Sequence, residues 1–415
     1  MMQAVELPEI GKHRNLGMRA LAGEVLIVRR GLQQAGLLDE MLAATLAGVR
    51  AAAGAEVAER AAARGLHRIH DWVDPEAIPA LTDAVYAEWT PNALRFLDRL
   101  ATHLFPDQPR FYFEREPNVR FHIPYDIAAG HKRSFDSFAK KRGQGKIAAH
   151  APHRDYWLDC PDNAINLWIA LGPVVPGNGL TLFPEMYDAE LPFSAKGEVT
   201  RGVRLGRPIT FDLEPGDIVL FHSKHLHGSE VNRTDSTRAV VSFRVTFEAP
   251  HFPLGHYHDY CHAGWQRGVL RPLASWPARL QASYLRSLAQ RARRKLFGAA
   301  VAARATAAPS DPGRHPLPLS ELPVGQVRAV ARNVCVARLD ESRVVALARY
   351  CPHAGADLVD GHVEGEHVVC PWHNLEFDVA SGESACAAFE PLRRYDATIR
   401  DGQVHVALDA GASEA

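Results

Sequence analysis

The chain has 415 residues, 47% of them hydrophobic and 23% charged, with 47 basic side chains against 48 acidic ones. That balance excludes the strongly basic character of a nucleic-acid binder, and the length allows two or three domains with buried cores. No run reaches the roughly 18 consecutive apolar residues of a membrane span, and MMQAVELPEIGKHRNLGMRA at the amino terminus has no signal-type apolar core. A cytoplasmic protein is expected. Six cysteines are too few for a disulfide scaffold, and a reducing compartment suits them; Cys160, Cys261, Cys335 and Cys386 read as buried thiols.

In chain order, residues 33–53 repeat apolar positions at helical spacing, and residues 74–104 read as further helix, broken by Pro91. From about Phe111 the pattern changes to short β-like runs: RFYFE, NVRFHIP, INLWIAL, GLTLFP, PITFDL, DIVLFH and AVVSFRVTFE. Gly, Pro, Asn and Asp punctuate them, as in the antiparallel strands of a sandwich or jelly roll. There is no βαβ rhythm and no glycine-rich nucleotide fingerprint. Residues 131–146, HKRSFDSFAKKRGQGK, set seven basic side chains against Asp136. They read either as a solvated loop or as a lid in which Lys140, Lys141 and Arg142 grip an anionic substrate.

After the strands, no acidic residue falls between Asp259 and Asp311. Leu280, Tyr284, Leu285, Leu288, Ala292 and Leu296 form an apolar stripe that ends among Arg291, Arg293, Arg294 and Lys295. This predicts a basic amphipathic helix and an Ala/Pro-rich tether, packed on its own domain or docked on an acidic partner or membrane surface. Beyond about His315 short β runs resume to Val406. The expected divisions are 1–262, 263–313 and 314–410.

Within the first division, HRD places His153 and Asp155 two residues apart, a spacing that points both side chains the same way on a strand. Non-haem iron centres need two neutral imidazoles and a carboxylate on one face. Downstream, HSKHLHGSEVNRTDSTR offers three further histidines. His222 has the opposite strand parity from His227; His225 has the same parity. With the WIAL strand, the Asn178-Gly179 turn and the order HGS…N…R, residues 110–250 resemble the phytanoyl-CoA dioxygenase branch of the 2-oxoglutarate oxygenases.

The resemblance implies a double-stranded β-helix (jelly roll) with helices before it, and an iron held by His153, Asp155 and His227. The Gly-Ser of the family pattern follows His227 and not His225. Arg238, eleven residues on, would hold the far carboxylate of 2-oxoglutarate, a task suited to a planar guanidinium. Oxygen and a small-molecule substrate complete the reactants. His150 is expected to support the site without binding metal. Pro184-Glu185-Met186-Tyr187 stands where relatives commonly read PGSH, so their substrates do not transfer. Halogenating members lack the carboxylate, so Asp155 implies hydroxylation or desaturation.

Near the carboxyl end, Cys351-Pro-His353 is followed by Cys370-Pro-Trp-His373. A zinc ion could use these four residues. The surroundings, CPHAG and CPWHNLEFDVASGE, resemble the Rieske family. That implies a small all-β domain with a [2Fe–2S] cluster, Cys351 and Cys370 on one iron, His353 and His373 on the other. High-potential members carry a loop disulfide and Ser and Tyr hydroxyls bonded to the cluster sulfurs. Here Ala354, Gly355 and Ala356 follow the first ligands, and Leu375 and Phe377 occupy the hydroxyl positions. Fewer donors leave the reduced cluster less stabilised and lower its potential. With no flavin or nicotinamide signature, an external reductase or ferredoxin is expected to load it.

In 2-oxoglutarate chemistry the co-substrate supplies both extra electrons, so stoichiometry does not require a Rieske cluster. The expectation is that the tethered cluster keeps or restores Fe(II), at the high effective concentration a linker confers. Two alternatives stay open. One is an oxygenase driven by the Rieske cluster without 2-oxoglutarate, although that family puts its cluster domain first and uses a D-x-x-H-x-x-x-x-H iron site, neither seen here. The other is a non-catalytic redox-sensing or electron-transfer protein, which would not need His153, Asp155, His227 and Arg238 together.

Overall fold

The computed structural model describes residues 4–408 except 11–12, 109, 130, 132–149, 159, 195–196, 201, 255–259, 264–312, 353–354, 373–374 and 385–389. The expected basic lid beyond His131, the amphipathic helix with its tether, His353, His373 and Cys386 therefore lie outside the described residues.

The chain is mainly β, with helices concentrated before residue 105. Its largest sheet runs Val5–Leu7, Leu26–Val28, Ile218–His222, Ile165–Ala170, Arg238–Thr246, Tyr112–Glu114 and Tyr260–His262, and Asn118–His122 also pairs with Arg238–Thr246. Among the described strands only the first two run parallel. A smaller pair, Leu180–Phe183 with Leu226–Ser229, is extended by bridges from His153 to His227 and from Leu182 to Ile209. Trp168, Val219, Phe221 and Val240 of the large sheet share one core with Leu180, Leu182 and Phe211. Two sheets packed this way form the double-stranded β-helix of the expectation.

The central strands are buried on both faces, and Arg238–Thr246 nevertheless alternates, with Arg238, Ser242, Arg244 and Thr246 on one face and Ala239, Val241, Phe243 and Val245 on the other. Ile165, Leu167, Ile169, Val241, Phe243 and Val245 face a core shared with the helices; Asn166, Trp168, Arg238, Ser242 and Arg244 take the opposite parity. Helix Ile78–Leu104 covers that outer face, with Leu38–Ala53 packed on it and Trp89 Nε1 donating to Thr45 at 3.1 Å.

Pro91 does not break this helix, contrary to the expectation from sequence. An internal proline costs about 3 kcal/mol. Fully burying side chains such as Trp89, Phe96 and Leu100 at about 1.5–3 kcal/mol each offsets it. Two other expectations shift. The helical run 33–53 divides at Gly36 (φ 62°) into Gly31–Gln34 and Leu38–Ala53. PITFDL makes only single bridges, through Ile209 and Leu213.

The carboxyl-terminal part is all β, in three small antiparallel sheets. Val327–Ala331, Val334–Arg338, Val344–Ala348 and Arg394–Tyr395 form the largest, and His362–Glu364, His367–Val369 and Glu376–Asp378 another. Among the described residues no helix is long and apolar enough to cross a membrane.

Candidate metal centre

His153 and His227 are partners in an antiparallel bridge, each main-chain N–H donating to the other's carbonyl at 2.9 Å. The pairing sets the two imidazoles side by side, ring centroids 4.4 Å apart. Gly228 permits the close approach: a Cβ there would lie 2.8 Å from the His150 carbonyl oxygen. Both rings meet a carbonyl through Nδ1, His153 at Ala151 (2.8 Å) and His227 at His225 (3.0 Å). A carbonyl only accepts, so each Nδ1 carries the proton and each Nε2 is left as the lone-pair donor a metal needs.

Asp155 begins a short turn, Asp155–Leu158, and its Oδ1 lies 3.8 Å from His227 Nε2. The ligand atoms of His153, Asp155 and His227 all lie within 4.8 Å of one another, and all three residues are buried. Burial, helped by the neighbouring His227, pushes His153 down to about 3, and burial lowers His227 as well. Both imidazoles are thus neutral at physiological pH. Burial would raise Asp155, but the Arg244 guanidinium, by its charge and its hydrogen bond, holds it well below the usual carboxylate range. Two neutral imidazoles and one carboxylate are the donor set of a 2-His-1-carboxylate iron centre.

Three side chains not singled out from sequence orient the carboxylate. Arg244 donates to Asp155 Oδ1 at 2.8 Å and, through its other terminal nitrogen, to Glu114 at 2.8 Å. Asn166 donates to Asp155 Oδ2 at 2.6 Å. The available signal was spacing: Arg244 is six residues beyond Arg238 on one strand, so both take the same face.

His222 and His225 do not join the triad. Phe221 packs on the His227 ring, 5.1 Å between centroids, and places His222 on the other strand face, bonded to the Tyr187 hydroxyl. His225 Nε2 donates to the Gly23 carbonyl at 2.9 Å. His150 contributes its carbonyl, which accepts from the Ser229 N–H at 3.1 Å.

Arg238 is 1% exposed, and one terminal nitrogen donates to the carbonyls of Asn178 and Gly179, both at 2.7 Å. The Asn-Gly turn noted in the sequence thereby aims the guanidinium. Its Nε has no partner among the described residues. Arg120, unremarked in the sequence, lies diagonally across the neighbouring strand, where His122 pairs with Arg238. It donates to the Ser229 hydroxyl at 3.1 Å, two residues beyond His227. Burial pushes Arg120 down to about 10; burial and then the Arg120 charge lower Arg238 strongly. The Glu230 charge acts in the opposite direction on Arg238. A fully buried guanidinium with a second, half-buried one on the neighbouring strand makes a receptor for a carboxylate.

Among the carboxyl-terminal residues, Cys351 and Cys370 are buried at the heads of two tight loops. Cys351 N–H donates to Ala356 at 2.9 Å, Gly355 N–H to Cys351 at 2.8 Å, and Cys370 N–H to Leu375 at 2.8 Å. Arg349 and Asp357 bracket the first loop with a fully buried pair, 2.7 Å at its closest. Leu375 and Phe377 are wholly buried. Two buried thiols in one apolar cluster fit the two cysteine ligands that a [2Fe–2S] cluster would need on one iron. Cys335 is different: burial pushes its thiol up to about 12, so it stays an inert core residue.

The phytanoyl-CoA dioxygenase family model matches residues 30–240, half of the chain. The chain belongs to the phytanoyl-CoA dioxygenase family. Residues 317–396 match the Rieske [2Fe–2S] domain, so this family member carries a second iron module in the same chain. The family's cofactors are Fe(II) and 2-oxoglutarate, and the Rieske domain's is the [2Fe–2S] cluster.

Among curated proteins, the chain is similar to a cholesterol 7-desaturase of Bombyx mori, 32% identical over 104 residues, 23% of each chain. It is also similar to the ferredoxin component of a naphthalene 1,2-dioxygenase system of Pseudomonas putida, 32% identical over 69 residues, 16% of this chain and 66% of that one. The matches thus span about a quarter and just under two thirds of these relatives. Of the solved structures, a Sphingomonas yanoikuyae B1 ferredoxin is 27% identical and covers 23% of this chain and 99% of its own, with a TM-score of 0.21. The epimerase SnoN, solved with Fe3+, alpha-ketoglutarate and nogalamycin RO, is 18% identical over 57% of this chain and 83% of its own, with a TM-score of 0.32.

Proposed function

We propose that the protein is a 2-oxoglutarate-dependent dioxygenase that hydroxylates or desaturates a small molecule, with a fused Rieske cluster supplying electrons that keep or restore Fe(II). Division into 1–262, 263–313 and 314–410 follows this reading. The observation that carries it is the fully buried Arg238 guanidinium with half-buried Arg120 on the neighbouring strand, bonded to Ser229 two residues beyond His227. An anion held by Arg238 would add to the Glu230 charge in offsetting the cost of burying that guanidinium.

When bound, Fe(II) and 2-oxoglutarate supply oxygen activation coupled to decarboxylation. His153, Asp155 and His227 would hold the metal, and Arg244 and Asn166 keep the carboxylate from rotating. Arg238 and Arg120 would bind and orient the far carboxylate. His153 and His373 belong to different centres: Cys351, His353, Cys370 and His373 would hold the cluster, loaded by an external reductase or ferredoxin. The seven basic side chains of 131–146 support an anionic substrate. A reducing cytoplasm suits both iron centres.

The test is succinate and carbon dioxide release from 2-oxoglutarate by anaerobically iron-loaded protein exposed to oxygen. Release should vanish in Arg238→Ala. In the cluster-less variant (Cys351→Ser with Cys370→Ser), it should begin normally and then stall unless ascorbate is added. No release by the wild type with reductant and candidate substrates would reject the reading; sustained release without the cluster would reject only the electron supply.

A further inference from the structure

The two halves of the chain share a continuous apolar core. Trp157, Val199, Val203, Leu205, Leu226 and Val231 from the dioxygenase half cluster with Cys351, Cys370, Trp372 and Phe377 from the Rieske half. Trp157 is two residues from Asp155, and Leu226 immediately precedes His227, so the apolar cluster joins the segments that carry the iron triad to the cluster thiols. Trp157 is itself stacked on Phe193, 4.6 Å between centroids at 9°.

Both cluster loops are gripped from the dioxygenase side. Gly202 N–H points at the Gly355 carbonyl at 3.4 Å, in the loop that Cys351 heads, and the Gly202 position faces the Tyr350 ring. The same dioxygenase segment returns to the iron triad, because Val199 N–H donates to the Pro152 carbonyl at 3.0 Å beside His153. Beyond the second loop, Glu376 pairs with Arg233, which lies between His227 and Arg238. Arg204 holds the almost fully buried Asp360 at 2.7 Å.

We infer that residues 197–200 and 202–205, with Arg204 and Arg233 as latches, are the docking surface for the Rieske domain and the bridge by which its electron reaches the iron within one chain. The inference rests on the proposed electron supply. One electron leaves the reduced cluster, which returns to its oxidised form, and converts Fe(III) at His153, Asp155 and His227 to Fe(II). No proton or bond need move, and a one-electron donor protein reloads the cluster. Packed side chains and main-chain hydrogen bonds connect the centres more tightly than water would. Exposed ion pairs hold weakly, so the apolar contact supplies most of the docking and the two latches set its register.

The experiment uses the full-length protein with both iron sites loaded and oxidised. A flash photoreductant places one electron on the cluster; its visible absorbance follows reoxidation, and the high-spin Fe(III) resonance follows reduction of the iron. The wild type should transfer in a first-order step whose rate is independent of protein concentration. Arg204→Glu with Arg233→Glu sets like charges against Asp360 and Glu376 and should slow it by at least ~10-fold. Adding Asp360→Arg and Glu376→Arg should restore it, which a misfolded variant would not do. Unchanged rates in the reversed variant, or a wild-type rate proportional to protein concentration, would overturn the bridge while leaving the electron supply standing. No transfer in the wild type would overturn both.

Discussion

The two iron modules are built in opposite ways. Around the cluster, the described ligands Cys351 and Cys370 each close a loop through main-chain bonds to residues five positions away, and Arg349–Asp357 ties the first loop from its own flanks. Around the triad, the ligands come from segments more than seventy residues apart, and their support comes from farther still: Glu114, Asn166 and Arg244 lie on three different strands. A local site survives changes in the rest of the fold. A dispersed site depends on sheet register, and a one-residue slip would turn its side chains to the other face.

That contrast is open to attack first through the largest effect. Arg349→Ala would leave Asp357 buried without its partner, which costs about 3–5 kcal/mol. Cluster absorbance should bleach at much lower temperature, while Co(II) binding to the triad persists. Loss of both together would mean that the modules fold as one unit.

A smaller effect sharpens the other side. Arg244→Met removes the charge shared by Asp155 and Glu114 and frees the carboxylate to turn. Metal affinity at the triad, read by Co(II) titration, should weaken by about 10–100-fold, the usual cost of losing a group that orients a ligand. Cluster content should not change. Unaltered affinity would show that the bridge between His153 and His227 suffices by itself.

The same contrast explains what could be read in advance. The Rieske signature is local, so CPHAG and CPWHNLEFD sufficed to suggest the small β domain and its cluster. Strand parity separates His227 from His222, and the structure puts Phe221, not His222, against the His227 ring. Arg120 and Arg244 escaped notice because nothing in their neighbourhoods marks them; only the pairing of His122 with Arg238 and of Asn166 with Arg244 brings them to the site. Pro91 misled because local propensity was outweighed by a buried helical face. Val5–Leu7 and Leu26–Val28, three residues each, are too short to show a period.

The central claim is that the dispersed site takes 2-oxoglutarate between its two arginines. Anaerobic calorimetric titration of 2-oxoglutarate into iron-loaded protein tests it most directly. The wild type should bind one equivalent, and Arg120→Ala and Arg238→Ala should each weaken binding by at least ~10-fold, as expected for losing a charge-assisted bond to a buried carboxylate. Binding that is absent from the wild type, or indifferent to both substitutions, would contradict the account.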